Sequence, residues 1–231
     1  NDEVFETSVG RLLFNSILPS DYPYVNKEIE RKTMSALVND LIVRYGIEKM
    51  PDILDKVKTF GFQYMTRSGI TWSIDDVTTP PEKEGIIEKA RKEADDVFTQ
   101  YEEGLLSRDE RHRKITAIWH AAKDEVEKYI PGTLDPNGPV YDMWKSGARG
   151  SISQITHMVG MKGLIASTSG QTMEFPIISS LKDGLTPIEY FIGTHGSRKG
   201  LTDVALNTAK AGYLTRRLFD VAQDAIITER D

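Results

Sequence analysis

The sequence contains no cysteine, which excludes a disulfide scaffold, a cysteine nucleophile and a thiolate metal site. No stretch comes near the ~18 consecutive apolar residues that a membrane helix needs, so we expect no membrane span. A basic leader followed by an apolar run is also missing, and we expect no secretory signal peptide. The net charge is −6, so any contact with nucleic acid must be local.

The hydrophobic content of 39% over 231 residues can form a buried core, and its spacing predicts a mainly α-helical fold with short extended segments. Apolar positions three and four apart predict a helix over 27–45 that stops at Gly46. A second helix is predicted over 52–60 and is expected to end at Gly61. Aromatic and β-branched residues then predict short extended pieces over 62–74.

Two further helical stripes predict an antiparallel helical hairpin over 82–130. Ser107 followed by Glu110 is the capping-box pattern that starts its second helix, and Pro131 is expected to end it. The polar loop over 103–111 predicts an exposed tip that suits the docking of a partner. The simpler interpretation of the many charges is a solvated helix surface.

The C-terminal half begins with a turn-rich linker over 132–140 and contains a strand-like run over 173–178. From Leu185 the pattern is helical almost to Thr228, and we expect one long helix over 184–220 that spans ~55 Å. Its interior glycines either pack closely against neighbours or provide a hinge. These glycines are Gly193, Gly196, Gly200 and Gly212.

The sequence contains no motif of a self-contained catalytic site. The segment 193–200 is rich in glycine but lacks the Gly-Lys-Ser/Thr of a phosphate-binding loop. Asp75 and Asp76 are better explained as turn caps than as cation ligands. The histidines are too scattered to form a sequence-local metal site, and they are His112, His120, His157 and His195. We therefore predict no metal site in this chain.

A local basic patch does occur within the predicted long helix. Between Gly184 and Leu218 there are five basic and two acidic residues. Basic side chains beside glycine, serine and threonine suit contact with phosphate groups. An ordinary charged helix surface remains the alternative interpretation. The basic residues are Arg198, Lys199, Lys210, Arg216 and Arg217.

Beyond these patterns, the run over 191–201, the pair Thr208-Ala209 and the run over 212–224 resemble the bridge-helix segment of the bacterial RNA polymerase β′ family. The segments 146–150 and 160–166 are similar to the F-loop region of that family. Shorter matches at 9–11, 26–27, 67–70 and 74–76 follow the same order, so the resemblance covers nearly the whole chain.

The resemblance implies four parts of a larger multisubunit fold. They are an N-terminal helical part at 1–80, the rim-helix hairpin of the secondary channel at 81–131, the F-loop region at 132–183, and the bridge helix with the following segment at 184–231. It also implies partners, namely the β subunit, the remainder of β′, and template DNA and RNA. The location it implies is the cytoplasmic nucleoid.

The resemblance further implies roles for individual residues. Thr208 and Ala209 would help to position the template, with support from Arg149 and Gln154 of the F-loop region. Nucleic-acid contacts would come from Arg198, Lys199, Tyr213, Arg216 and Arg217. Transcript-cleavage or regulatory factors would dock at the hairpin tip, where Asp109 and Arg111 are the candidate contacts.

The resemblance also places the catalytic Mg²⁺ outside this chain, because the family's Asn-Ala-Asp-Phe-Asp-Gly-Asp motif does not occur in it. The isolated chain is therefore expected to have no polymerase activity. Two positions depart from the family pattern, since Asn207 and Thr156 stand where basic residues are common. The alternative function is a stand-alone helical protein-binding module that uses the hairpin over 82–130.

Overall fold

A computed structural model describes residues 4–226, 228 and 229. Its described part contains eight α-helices and no sheet, which confirms the mainly α-helical prediction. The helices are α1 (Val9–Ile17), α2 (Arg31–Tyr45), α3 (Met50–Ser68), α4 (Lys83–Glu102), α5 (Arg108–Thr133), α6 (Pro139–Ser146), α7 (Ile152–Val159) and α8 (Pro187–Ala222). Within these described residues, no helix combines the length and the apolarity that crossing a bilayer requires.

The chain divides into two compact units, each made of two chain segments. One unit comprises Asn1–Thr78 with Ile130–Ile155, and the other comprises Thr79–Tyr129 with Thr156–Asp231. This division follows packing. The four functional parts inferred from the resemblance stay a prediction.

The first unit packs α1, α2 and α3 around a small apolar core. Gly46 ends α2 with a positive φ of 73°, as predicted from the sequence. A short 3₁₀ helix over Ile47–Lys49 then leads into α3. The core consists of Leu18, Leu37, Leu41, Met50 and Ile53.

Helix α3 is longer than predicted, because it passes through Gly61 and ends at Ser68. The rings of Phe60 and Tyr64, one turn apart on α3, lie 4.6 Å apart and support the helix across this glycine. Gly69, with a φ of 61°, takes the left-handed conformation that ends α3. The prediction of extended pieces is therefore wrong for the residues up to Ser68.

The second unit is built on the predicted hairpin, in which α4 and α5 share one apolar core. That core consists of Ala90, Val97, Ile115, Trp119, Ala122, Val126 and Met161. The expected stop at Pro131 is wrong by two residues, because this proline lies inside the last turn of α5. The hydroxyl of Thr133 donates to the carbonyl of Ile130 at 2.9 Å and closes that turn.

The predicted strand over 173–178 is wrong, because the structure forms only isolated antiparallel pairings there. Gly163 pairs with Ile177, and Ala166 pairs with Thr172. The segment therefore loops out and back without a partner strand that would extend it into a sheet.

The predicted long helix is confirmed as α8, a single helix of 36 residues. It begins with a capping box in which the backbone N–H of Glu189 donates to Thr186 Oγ1 and the Thr186 N–H donates to Glu189 Oε2. The other carboxylate oxygen, Glu189 Oε1, accepts from the N–H groups of Ile178 at 2.9 Å and Ser179 at 3.0 Å. Glu189 therefore joins the start of α8 to the chain segment that precedes it.

Glu189 is only 5% exposed, and this burial by itself raises its pKa. The backbone and side-chain donors of Ser179 and Thr186 outweigh that effect and lower the pKa to about 2. The ionised carboxylate is thus the form that the fold stabilises.

The interior glycines of α8 differ in their surroundings. A Cβ added at Gly196 would lie 2.6 Å from Ile165 Cγ2, so no side chain fits there without a shift. At Gly193 the added Cβ would lie 3.4 Å from Lys162 Nζ. Gly200 and Gly212 have nothing within 4 Å. Close packing therefore explains Gly196, whereas Gly200 is free of contacts.

We expect Gly200→Ala and Gly196→Ala to have opposite effects. Gly200→Ala should raise the free energy of unfolding by up to about 1 kcal/mol, because alanine favours the helix and meets no neighbour. Gly196→Ala should lower it, and Ile165→Ala in the same chain should relieve the clash. Urea unfolding followed by circular dichroism measures both. Equal stabilisation by the two alanines would contradict close packing at Gly196.

We expect Glu189 to make the fold acid-sensitive. Its pKa is lower in the folded chain than the ~4.3 of an unfolded glutamate, so its contribution is complete above that value and is lost as the pH falls toward about 2. Glu189→Gln should remove up to about 3 kcal/mol at pH 7 and flatten the pH dependence of urea unfolding. Glu93→Gln, at an exposed position of α4, is the control. The same pH profile for both variants would refute the assignment.

Candidate functional site

The first part of the site is the C-terminal stretch of α8, residues 201–222, which is exposed on nearly all sides. The buried residues of α8 are confined to its first two turns, at Glu189, Ile192 and Gly193. From Leu201 to Ala222 every residue is exposed except the half-buried Asp203. About 33 Å of helix therefore presents its side chains freely.

The five basic side chains of α8 lie on one face of this helix. Arg198 and Arg216 are separated by about five full turns, and so are Lys199 and Arg217. With Lys210 included, all five fall within an arc of about 120°. Four of them are exposed, and Lys199 is half-buried. The predicted basic patch thus lies along one face of α8, with pairs of basic residues at 198–199 and 216–217 and Lys210 between them.

Three of the basic side chains make contacts with neighbouring residues of α8 itself. Lys199 pairs with Asp203 at 3.0 Å and Arg216 with Asp220 at 4.0 Å, both within the helix. The Arg217 guanidinium lies 4.6 Å from the ring centre of Tyr213. Exposed ion pairs of this kind contribute little to the free energy of folding. Phosphate oxygens can replace them as partners of the arginines at low cost.

Thr208 and Ala209 lie midway along the exposed stretch. Ala209 is on the basic face, whereas Thr208 is about 80° from Arg198 around the helix. The Thr208 hydroxyl donates to the carbonyl of Val204 at 2.7 Å, so its oxygen remains available as an acceptor. The pair forms a small-residue patch beside the basic face, where a flat group can approach the helix.

The tip of the hairpin is the second part of the site. The predicted capping box is present, since the Ser107 N–H donates to Glu110 Oε2 at 2.9 Å and the Glu110 N–H donates to Ser107 Oγ at 3.3 Å. These bonds lower the pKa of Glu110, the backbone bond from Ser107 most of all. Leu105 is 69% exposed, and Asp109 is also exposed. The tip is ordered by its own bonds and open to solvent.

Arg111 does not belong to the exposed tip, which corrects the sequence prediction. Its side chain is 18% exposed, and its Nη2 lies 3.2 Å from Glu174 Oε1. Its guanidinium also lies 4.4 Å from the ring centre of Tyr101 and 5.5 Å from that of Phe98. Glu174 is 63 positions away in the sequence, so spacing within the hairpin could not reveal this contact.

Arg149 and Gln154 belong to the first compact unit, whereas α8 belongs to the second. Arg149 is exposed. Gln154 caps its own helix, because the Ser151 N–H donates to Gln154 Oε1 at 3.1 Å and the Gln154 N–H donates to Ser151 Oγ at 3.3 Å. The side-chain amide N–H₂ of Gln154 is the group left to meet a ligand.

An ion pair that the sequence analysis missed joins the start of α4 to the turn before α8. Lys83 Nζ lies 2.6 Å from Asp183 Oδ2, and the same oxygen accepts from Ser180 Oγ at 2.7 Å. Burial raises the pKa of Asp183, but the bonds from Lys83 and Ser180 outweigh it and keep that pKa below its usual value. The Thr186-x-x-Glu189 capping pattern was visible in the sequence, whereas the Lys83–Asp183 contact had no local signal.

The remaining candidates form no metal centre. Across the residues that the structure describes, no group of three or more histidines, cysteines or carboxylates could hold a metal ion. Asp76 caps a short 3₁₀ helix over Ile74–Asp76, in line with its expected role as a turn cap. Burial, and then Lys123 and Lys162, lower the pKa of His157.

Comparisons with known proteins match nearly all of the chain. Three family models match successive segments, namely RNA polymerase Rpb1 domain 3 at residues 2–77, domain 4 at 88–182 and domain 5 at 184–231. Curated relatives carry the name DNA-directed RNA polymerase subunit beta'. The relative from Desulforamulus reducens is 47% identical over 231 residues, which are 100% of this chain and 20% of that protein.

Two further relatives agree. The subunit of Nocardioides sp. is 49% identical over 98% of this chain and 18% of its own length. That of Thermobifida fusca is 47% identical over 99% of this chain and 18% of its own length. The chain thus spans about a fifth of the length of these curated relatives. These matches confirm the resemblance inferred from the sequence, and the chain belongs to the RNA polymerase Rpb1/β′ family.

Proposed function

We propose that this chain acts in DNA-templated RNA synthesis, as part of a multisubunit RNA polymerase in which α8 is the bridge helix. The observation that carries this proposal is the exposed stretch 201–222 together with the basic residues that lie along one face of α8 from Arg198 to Arg217. A helix that served only as a scaffold would need neither the exposure nor the alignment of the arginines. Membership in the β′ family supports the same conclusion.

In this proposal the helix positions nucleic acid rather than performing chemistry itself. The guanidinium groups of Arg198, Arg216 and Arg217, with Lys199, hold backbone phosphates and fix their register. Thr208 and Ala209 present the small-residue patch to the template base, and Tyr213 orients Arg217. Nucleotidyl transfer depends largely on such positioning and on charge stabilisation.

The proposal also assigns parts to the rest of the assembly. Arg149 and Gln154 support the nucleotide path, and the β subunit with the remainder of β′ completes the cleft. The sequence lacks the aspartate motif of the β′ family, and the described residues include no group of three or more ligands that could hold a metal ion. We therefore assign the ligands of the catalytic Mg²⁺ to residues outside the chain. The isolated chain is then inactive in RNA synthesis.

We further propose that the hairpin of α4 and α5 forms the rim of the secondary channel and docks transcript-cleavage or regulatory factors. The exposed tip supports this role, since the capping box fixes Asp109 at the solvent-facing start of α5. The exposed side chain of Leu105 adds an apolar contact beside that carboxylate. Factor docking therefore centres on Leu105 and Asp109.

We expect the double substitution Arg216→Ala and Arg217→Ala to slow RNA extension by the complete polymerase about tenfold, because two phosphate contacts are lost. The slope of log affinity for a primed DNA–RNA scaffold against log salt should fall by about 1 for each arginine removed. Arg91→Ala, at an exposed position of α4, is the matched control. Unchanged extension and an unchanged salt slope would show that the basic face does not contact nucleic acid.

We expect charge reversal at the hairpin tip to separate docking from folding. Asp109→Lys should weaken factor binding while changing the free energy of unfolding by less than about 1 kcal/mol. Arg111→Glu should destabilise the hairpin by about 2 kcal/mol or more, because it places a second carboxylate beside Glu174. Factor affinity for the assembled polymerase and urea unfolding are the measurements. If Asp109→Lys leaves factor affinity unchanged, the tip is not the docking site.

A further inference from the structure

The start of α8 is fastened to the hairpin through the loop segment 163–184, which we call the strap. Gly163, the first residue of the strap, and Ile177, within it, exchange backbone hydrogen bonds of 2.9 Å in both directions, which close the strap on itself. At its other end, Asp183 holds Lys83, the first residue of α4. The strap therefore links the base of the hairpin directly to the residues that precede α8.

The strap also contacts the hairpin near its tip. Glu174 Oε1 lies 3.2 Å from Arg111 Nη2 and 3.0 Å from His112 Nδ1, both on the first turns of α5. The hairpin thus holds the strap at two places, Glu174 and Asp183, on different helices. A displacement of the hairpin has to move the strap at both contacts or break one of them.

The strap in turn holds the first turn of α8 through the main chain. The N–H groups of Ile178 and Ser179 donate to Glu189. Ser180 follows directly in the chain, and Asp183 comes three residues later. Ser180 is fully buried, and its carbonyl accepts from the Gly184 N–H at 3.1 Å. The turn 180–184 is therefore closed by its own hydrogen bonds. A displacement of this turn moves the neighbouring residues that donate to Glu189 at the start of α8.

The ion pair at this turn is asymmetric in burial. The side chain of Lys83 is 8% exposed, whereas that of Asp183 is 45% exposed. A nearly buried ammonium group without its carboxylate partner destabilises the fold, because the charge has lost its hydration and no other interaction replaces it. Removal of the carboxylate is consequently more damaging than removal of the lysine charge.

We propose that Lys83 and Asp183 are positioning residues that set the first turns of α8 relative to the hairpin. Their contact couples the binding of a partner at the hairpin to the position of the first turn of α8. The effect of this coupling on RNA synthesis rests on the proposed function, whereas the mechanical link itself does not. The assignment gives the hairpin a second task, which is to orient the long helix.

The variants Asp183→Asn, Lys83→Met and the double substitution test the pair in the assembled polymerase, by hydrogen exchange of the amides over 186–196. Asp183→Asn should speed their exchange by about tenfold or more, because it strands the Lys83 charge. Lys83→Met should have a smaller effect, and the double variant should resemble Lys83→Met rather than exceed Asp183→Asn. Lys83→Arg, which keeps the charge, should stay near the parent.

Lys92→Met is the control, since this lysine of α4 is 74% exposed and pairs only within its own helix with Glu88. It should leave exchange over 186–196 unchanged. If Asp183→Asn speeds exchange only in α4, or if the double variant is simply the sum of the singles, the positioning assignment is overturned. If Asp183→Asn prevents assembly, the comparison of Lys83→Met with Lys83→Arg decides the same question.

Extension rate and nucleotide KM, measured on the same variants, separate positioning from general loss of structure. Positioning predicts an extension rate that falls in the order of the exchange rates, with nucleotide KM nearly unchanged. An extension rate that stays constant while exchange changes would contradict a role in synthesis and leave the mechanical link standing. If the parent assembly makes no RNA, the proposed function fails, and the exchange data still decide the coupling.

Discussion

The buried carboxylate of Glu189 is the interaction on which the long helix depends. Helix α8 has 36 residues, yet only Glu189, Ile192 and Gly193 are buried along it. One carboxylate oxygen of Glu189 accepts hydrogen bonds from the backbone of the strap, and the other accepts from the cap residue Thr186. The start of α8 is therefore fixed by hydrogen bonds rather than by a large apolar interface. Close approach at Gly196 adds packing against Ile165. The direction of α8 beyond Gly200 is therefore set by this short anchored section.

The exposed part of α8 over 201–222 differs in its side chains from the surface of a stable isolated domain. It carries large exposed apolar residues such as Leu201, Leu218 and Phe219, which an isolated folded domain would normally cover. Among the residues that the structure describes, its charged side chains pair within the helix, Asp203 with Lys199 and Arg216 with Asp220. Both properties suit a helix whose remaining contacts come from nucleic acid and from other parts of a large assembly.

The sequence predicted helices well where a periodic apolar face coincided with a local cap, as for the hairpin with Ser107 and for the single long helix. It failed where tertiary or neighbouring contacts outweighed a residue's own preference, as at Gly61, beside the contact between the rings of Phe60 and Tyr64. The basic residues of α8 could be found from composition, and their common face followed from helical period. The burial of Arg111 could not be predicted, because its partner Glu174 comes from a remote loop whose course no local pattern encodes.

The anchoring of α8 at one end makes it a lever. From Gly196 to the last residue of α8 the helix extends ~39 Å. A rotation of only about 5° at the anchored turns would therefore carry its far end by ~3.4 Å, which equals the axial rise per nucleotide of duplex DNA. Sub-ångström adjustments of the cap around Glu189 are thus enlarged along the helix to the scale of a nucleotide step.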